Sequence, residues 1–431
     1  MSRSLTVLSI TSAEHVVNAF HESIVALAAD GIAVTHVGLS TNLWYPGDAY
    51  EIYRGHGCPT HHIPRPSGCT IPWWHTPDAT QEVFNALDTI EKFLDEMIKQ
   101  YRADVLLFAD DQGPLELAFI KFFNRRHVPV VLLEHGYDSF EPAEPPSVTP
   151  LSRRLISTIR AATHTVSRKL FRRCSRCPRR SELLCQRPVG LNGDYLICTY
   201  AGLNTHILMQ QGVAPSRLRP TGYPYLDQYA RRRQTLIARP KPNRPKLLIV
   251  SSGCGIFGQL DRARCFYKLA IEVIEDLKDF YEIVFRFKPG ETLDLFLEPH
   301  MIKRLMATEV ALDWSTANLS ETLPKYDLVL GSGSSILLEA LILKVPVVIF
   351  ADELDYLLKH SHPMGKILGS MLNCLSLKTS ADARTMVCEA LSPHYLAHLD
   401  QAMFAYEEPL FHRLDGQSGK RVAQIILEAS T

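Results

Sequence analysis

The sequence has no surplus of either charge. Its 46 Lys plus Arg are matched by 46 Asp plus Glu over 431 residues, which argues against a whole-molecule polyelectrolyte role such as coating nucleic acid. It has no uninterrupted apolar run of about 18 residues, the length a membrane-crossing helix needs. It has no disulfide framework: ten cysteines, near ordinary usage for this length, are scattered along the chain, so reduced thiols are expected. The stretch Met1 to Leu8 lacks the apolar core of a secretory leader, and the expected location is the cytoplasm. No repeat of solenoid period is present. What is there is 46% hydrophobic and 21% charged residues, a globular composition with enough chain for two cores.

Apolar runs alternate with amphipathic stretches. Leu5 to Ile10 reads as a strand, Ala13 to Ala29 as a helix and Ile32 to Leu39 as the next strand. From Trp44 to Trp74 the chain is rich in Pro, Gly and His and reads as a surface excursion. A long helix over Asp78 to Tyr101 leads to the apolar strand Asp104 to Ala109, a helix over Leu115 to Phe123 and the strand Val128 to Leu133. Continuous apolar strands of this kind belong to parallel sheets covered on both faces. Between Arg153 and Arg187 stand eleven Lys or Arg against one acid, Glu182, so the neutral whole contains a strongly basic segment. The motif Thr221-Gly222-Tyr223-Pro224 with Asp227 follows, then Arg231 to Arg233 and a Pro-rich stretch that read as a linker.

A second series begins with the strand Leu247 to Val250 and runs through a helix, the strand Tyr281 to Phe287, a short strand near Val310 to Asp313 and the strand Leu328 to Leu330 to the strand Val345 to Phe350. Two βαβ series joined near residue 235 predict an α/β protein of two Rossmann-like doubly wound domains facing across a cleft. The expected boundaries are 1–230, with a basic insertion at about 145–190, then 246–410, and a C-terminal helix at 411–431.

The most informative stretch is Gly331-Ser332-Gly333-Ser334-Ser335 leading into a helix that carries Glu339. Small residues between a strand and a helix let backbone N–H groups and the Ser334 and Ser335 hydroxyls converge where the helix dipole favours an anion. Glu339 lies a turn further on, at a spacing that suits the vicinal hydroxyls of a ribose. An ordinary capped turn gives the same local pattern. A second glycine-rich turn, from Ser251 to Gly258, opens the same domain and contains Ser252, Gly253 and Gly255. Its Gly-x-Gly-x-x-Gly spacing fits dinucleotide binding, but Tyr281 to Phe287 is followed by Lys288 rather than an acid, which disfavours hydride chemistry.

On these residues the sequence resembles the GT-B glycosyltransferase superfamily. Within it the likeness is to the branch of capsule, Kdo and sialic acid transferases and CDP-glycerol glycerophosphotransferases. The resemblance spans about residues 100 to 356. It rests on His135-Gly136 after a strand, the Thr221-Gly222-Tyr223-Pro224 motif with Asp227, Lys288-Pro289, the block from Ser334-Ser335 to Pro346, and Asp352 with Asp355-Tyr356. It implies that the second domain binds a nucleotide-activated donor through Ser252, Gly253, Gly255, Lys288, Pro289, Gly333, Ser334, Ser335 and Glu339, and that the first holds the acceptor and the base. Lys288 stands where a histidine is commoner in such His-Pro pairs. It can neutralise a leaving phosphate, but is a poor general acid unless its pKa is lowered.

Two candidates for the base end strands of the first domain. Asp110-Asp111-Gln112-Gly113 resembles the acidic motif of bacterial sialyltransferases with one residue inserted, and His135 matches the histidine of the glycerophosphotransferases. Each also has a structural reading, an Asp as a helix cap and a His as a loop anchor. The expected function is transfer of a sugar from a nucleotide donor, a CMP-sugar such as CMP-Kdo before a UDP-sugar, to a cell-surface glycan or lipid-linked acceptor. The alternatives are a CDP-glycerol-type polyol-phosphate transferase, a nucleotide-sugar 2-epimerase and a non-catalytic scaffold. No cofactor, metal or nucleic acid is expected. The segment from Arg153 to Arg187 carries apolar residues at helical spacing and is expected to touch an anionic membrane surface. Cys174, Cys177 and Cys185 lack a fourth ligand, and Cys58, His61, His62 and Cys69 read as a plain loop. Trp73, Trp74 and His75 are candidates for stacking on an acceptor sugar.

Overall fold

The computed structural model describes residues 4–43, 47–65, 77–111, 114–135, 190–236, 243–251, 260–288, 291, 293–295, 297–315, 318–359 and 362–431. The chain divides into two compact units. The first comprises Met1–Phe140, Glu144–Asp227 and Pro409–Thr431, and the second comprises Glu141–Ala143 and Gln228–Glu408.

The first unit is built on a parallel sheet of seven strands: β1 (Ser4–Thr11), β2 (Ala33–Ser40), β3 (Thr60–His62), β4 (Val105–Phe108), β5 (Val130–Leu133), β6 (Leu196–Thr199) and β7 (Leu218–Pro220). Their order is β3-β2-β1-β4-β5-β6-β7. Strands β4 and β5, Val-Leu-Leu-Phe and Val-Val-Leu-Leu, are buried at every residue, as strands covered on both faces must be. The helix Glu14–Ala29 turns Val16, Val17, Phe20, Ile24 and Leu27 inward at helical spacing. It packs against the last helix, Ser418–Ala429, whose Val422, Ala423 and Ile426 are buried.

The second unit has its own parallel sheet: β8 (Lys246–Val250), β9 (Glu282–Arg286), β10 (Ala311–Asp313), β11 (Leu328–Gly331), β12 (Val347–Phe350) and β13 (Leu375–Leu377). The order is β10-β9-β8-β11-β12-β13. Both sheets thus follow the dinucleotide-fold order, in which strands are added to one side of the first strand and then to the other. The helix Ser335–Ile342 is buried at every residue from Ile336 to Ile342, apolar but for Glu339, so it lies inside the unit.

Two expectations are corrected. The stretch read as an excursion contributes scaffold: Ala49–Gly55 is a helix with Tyr53 fully buried, and Thr60–His62 pairs with β2. Arg231 to Arg233 belong to the helix Asp227–Gln234, and not to a linker. Among the described residues, no helix is long and apolar enough to cross a membrane.

Candidate functional site

In the second unit the strand order reverses between β8 and β11, and in open parallel α/β sheets such a switch point is where ligands bind. Gly331 lies beside Val250 in register, and a Cβ on it would come within 2.4 Å of Val250 Cγ2. Only glycine lets β11 approach this closely while the chain turns. The turn is tight, with Ser334 N–H donating to Ser332 O at 2.6 Å. Ser334 occupies the N-cap of Ser335–Ile342, but its hydroxyl makes no capping bond. A half-buried Ser334, an exposed Ser335 and the first helical N–H groups therefore sit together at the carboxyl edge of the sheet, an arrangement that favours an anion.

Glu339, a turn inside that helix, is only 6% exposed. The Tyr229 hydroxyl donates to its Oε2 at 2.6 Å. Burial raises its pKa, while hydrogen bonds from Tyr229 and Ser335 and the Arg286 charge act the other way. One oxygen of the carboxylate expected to meet a ribose is thus already engaged.

Lys288 is exposed just beyond β9. Its backbone N–H donates to Oε2 of Glu291 at 2.9 Å, and the Ser251 hydroxyl donates to the same oxygen at 2.5 Å. The Trp314 indole N–H holds the Glu291 carbonyl at 3.1 Å, and its ring stacks on Phe287 at 4.4 Å. Sequence reasoning passed over Glu291, because an acid three residues after a lysine reads as ordinary surface charge. Its partner Ser251 is 40 residues away, so only the adjacency of β8 and β9 reveals the contact. Of the residues carried by the resemblance after β12, Asp352 and Asp355 are exposed. Between them Glu353 is buried and pairs with Arg262 at 2.9 and 2.5 Å, and the guanidinium lies 3.9 Å from the Tyr356 ring centroid.

In the first unit the reversal lies between β1 and β4. Just after β4, Asp110 is half-buried and Asp111 is 1% exposed. Oδ2 of Asp111 accepts from Gly190 N–H at 2.8 Å, Asn192 Nδ2 at 3.1 Å and the Tyr195 hydroxyl at 2.5 Å. That is the environment of a structural acceptor. His135, just after β5, is exposed, and its Nδ1 lies 3.0 Å from Ala109 O. A carbonyl only accepts, so Nδ1 carries the proton and neutral His135 keeps its lone pair on Nε2.

The His15 ring, in the first turn of the helix after β1, lies 5.6 Å from that of His135. The Tyr223 hydroxyl donates to His15 O at 3.3 Å. The loops after β1, β4 and β5 and the Thr221-Gly222-Tyr223-Pro224 turn therefore meet. His15 went unnoticed in the sequence, although its place one strand-to-helix turn after β1 was a usable signal. The motif's Gly222 takes φ +74°, open to glycine at little cost. Asp227 caps the last helix, its two oxygens accepting from Ser418 N–H at 3.0 Å and Gly419 N–H at 2.8 Å.

Glu134, next to His135, is 5% exposed, and its Oε2 accepts from Tyr200 N–H at 3.1 Å and Asn204 Nδ2 at 3.3 Å. Burial pushes its pKa up to about 8 against the pull of these donors.

Ser252, Gly253, Gly255 and Pro289 lie outside the described residues, as do Trp73, Trp74, His75, Cys69, Cys174, Cys177, Cys185 and the basic segment from Arg153 to Arg187. Among the described residues, no cluster of three or more His, Cys, Asp or Glu is arranged to hold a metal ion.

No protein-family model and no curated protein matches the sequence significantly. Solved structures do resemble it. UDP-GlcNAc 2-epimerase from Neisseria meningitidis, bound to UDP-GlcNAc, superposes with a TM-score of 0.58 at 13% identity over 99% of this chain and 100% of that one. A glycosyltransferase from Rickettsia africae gives 0.54 at 10% identity, covering 99% of each chain. The wall teichoic acid polymerase TagF, soaked with CDPG, gives 0.51 at 12% identity over 99% of this chain and 88% of that one. The fold is GT-B-like. At these identities the likeness is one of architecture, and a GT-B-like chain takes its chemistry from the side chains at its switch points.

Proposed function

We propose that this GT-B-like protein is a glycosyltransferase that moves a sugar from a nucleotide-activated donor to a cell-surface glycan or lipid-linked acceptor. The observation that carries the reading is the uncapped Ser334 at the head of Ser335–Ile342, beside the strand reversal between β8 and β11. Donor phosphate bound there is met by helix N–H groups and the Ser334 hydroxyl, and by the Ser335 hydroxyl once it turns from Glu339, with Lys288 supplying positive charge to the leaving group. Ser252, Gly253, Gly255, Pro289 and Gly333 complete the proposed donor set, and Glu339 serves the ribose side with the oxygen that Tyr229 does not hold.

In the first unit His135 is the preferred base. Its Nδ1–H is fixed on Ala109 O, which leaves the Nε2 lone pair to take the proton of an acceptor hydroxyl. Asp110 is the second candidate, and Asp111 serves as its support. The basic segment from Arg153 to Arg187 is assigned to an anionic membrane surface on composition alone. Cytidine nucleotides are placed ahead of uridine nucleotides. Titration calorimetry with CMP, CDP and UDP tests the donor assignment, and failure of all three to bind overturns it.

The fold likeness to UDP-GlcNAc 2-epimerases favours a second reading, epimerisation of a nucleotide sugar. Incubation with UDP-GlcNAc and no acceptor, followed by NMR, separates the two: conversion supports the epimerase, and an unchanged spectrum leaves the transferase standing.

A further inference from the structure

Glu291 is a buried acid whose contacts reach across two strand ends. A single oxygen, Oε2, accepts from the Ser251 hydroxyl at the end of β8 and from the Lys288 N–H at the end of β9. Behind Ser251 stands the Tyr267 hydroxyl, 3.4 Å from Ser251 Oγ. The glutamate's own carbonyl is pinned by Trp314, so the residue is held from both its backbone and its side chain. Only 3% of it is exposed, and Oε1 is buried with no hydrogen-bond partner among the described residues. Burying a carboxylate with one oxygen unsatisfied costs stability that an apolar side chain of similar size would not. Stability alone therefore does not account for an acid at this place.

We propose that Glu291 is a positioning residue of the donor site, its carboxylate fixing Ser251 and the Lys288 backbone against each other so that Lys288 is presented at the carboxyl edge of the sheet. The inference rests on the donor-site reading above. It assigns Glu291 no contact with the donor. Its effect passes through Lys288, whose ammonium can serve phosphate only if the chain leaving β9 keeps one conformation.

The test is a calorimetric cycle with CMP, CDP and UDP as probes on the full chain: wild type, Glu291→Gln, Glu291→Met, Lys288→Ala and the Glu291→Met/Lys288→Ala double variant. Gln keeps an acceptor oxygen for Ser251 and Lys288 and is expected to bind within about threefold of wild type, whereas Met is expected to weaken binding about tenfold or more. Since Glu291 acts through Lys288, the double variant should bind no worse than the weaker single variant. Losses that multiply, or wild-type affinity in Glu291→Met or Lys288→Ala, overturn the proposal while leaving the donor site standing. Absence of nucleotide binding by wild type overturns both. Should circular dichroism show that Glu291→Met does not fold, Ser251→Ala with Lys288→Ala runs the same cycle from the other end of the link.

Discussion

Tyr195 donates its hydroxyl to Oδ2 of Asp111 at 2.5 Å across 84 residues of sequence, joining the end of β4 to the start of β6. Gly190 and Asn192 bind the same oxygen, so this carboxylate organises the chain where it re-enters the sheet. Asp111→Ala takes the carboxylate acceptor from Gly190 N–H and the Tyr195 hydroxyl, leaves Asn192 Nδ2 with the Asp111 carbonyl at 3.0 Å, and should lower unfolding free energy by about 2–4 kcal/mol. Urea denaturation measures this. Nucleotide binding by the folded fraction should be unchanged, and a variant as stable as wild type would refute the structural role.

His135 predicts the opposite pattern. It is exposed and, among the described residues, hydrogen-bonds a loop carbonyl alone, so His135→Ala should alter stability by about 0.5 kcal/mol or less. Transfer to acceptor should fall by about 100-fold or more if Nε2 is the base. Equal loss in Asp110→Asn with full activity in His135→Ala would move the role to Asp110.

Ser334→Ala separates ligand binding from folding. The hydroxyl does not cap its helix, so the melting temperature should hold, while affinity for a nucleotide diphosphate should drop about tenfold, the worth of one hydrogen bond to a charged group. Unchanged affinity would place the phosphate elsewhere.

Glu134 gives the fold a pH dependence. Burial pushes its pKa up to about 8, against an ordinary value of 4.5, so the folded chain keeps a proton that the unfolded chain releases. This stabilisation is complete below about pH 4.5 and is lost as pH rises through 8, at no more than about 1.4 kcal/mol per pH unit. Glu134→Gln, which cannot titrate, should show a flatter stability profile than wild type across that window. Parallel profiles would mean that the carboxyl is ionised when folded.

Asp227→Ala removes the acceptor for Ser418 and Gly419 and should cost about 1–2 kcal/mol as a lost helix cap. Amide exchange should show the loss first in Ser418–Ala429, and a uniform loss across the first unit would contradict the capping role.

Much of this architecture was legible in the residues. Leu5 to Ile10, Val128 to Leu133 and Leu247 to Val250 are apolar runs of strand length, and the structure places strands at Ser4–Thr11, Val130–Leu133 and Lys246–Val250. A central parallel strand is buried on both faces and so leaves an unbroken apolar trace. Of the three-residue edge strands, Ala311–Asp313 was legible near Val310 to Asp313, whereas Thr60–His62, Leu218–Pro220 and Leu375–Leu377 left no trace, because so short a run rarely shows a period and an edge needs burial on fewer sides. The turn Gly331-Ser332-Gly333-Ser334 was likewise visible, since its backbone requirements are local.

The sequence by itself determined two parallel α/β units and a small-residue turn at the head of a buried helix. Those properties depend on neighbours within a few residues and on the sidedness of hydrophobic burial. What surrounds each acid was set by the tertiary structure. Asp110 and Asp111 are chemically identical and adjacent, yet one is half-buried and the other is gripped by groups from residues 190 to 195. Glu291 acquired its place only because β8 and β9 bring Ser251 and Lys288 to the same oxygen. A carboxylate's role is set by the dielectric and the donors around it, and those come from chain segments far away in sequence.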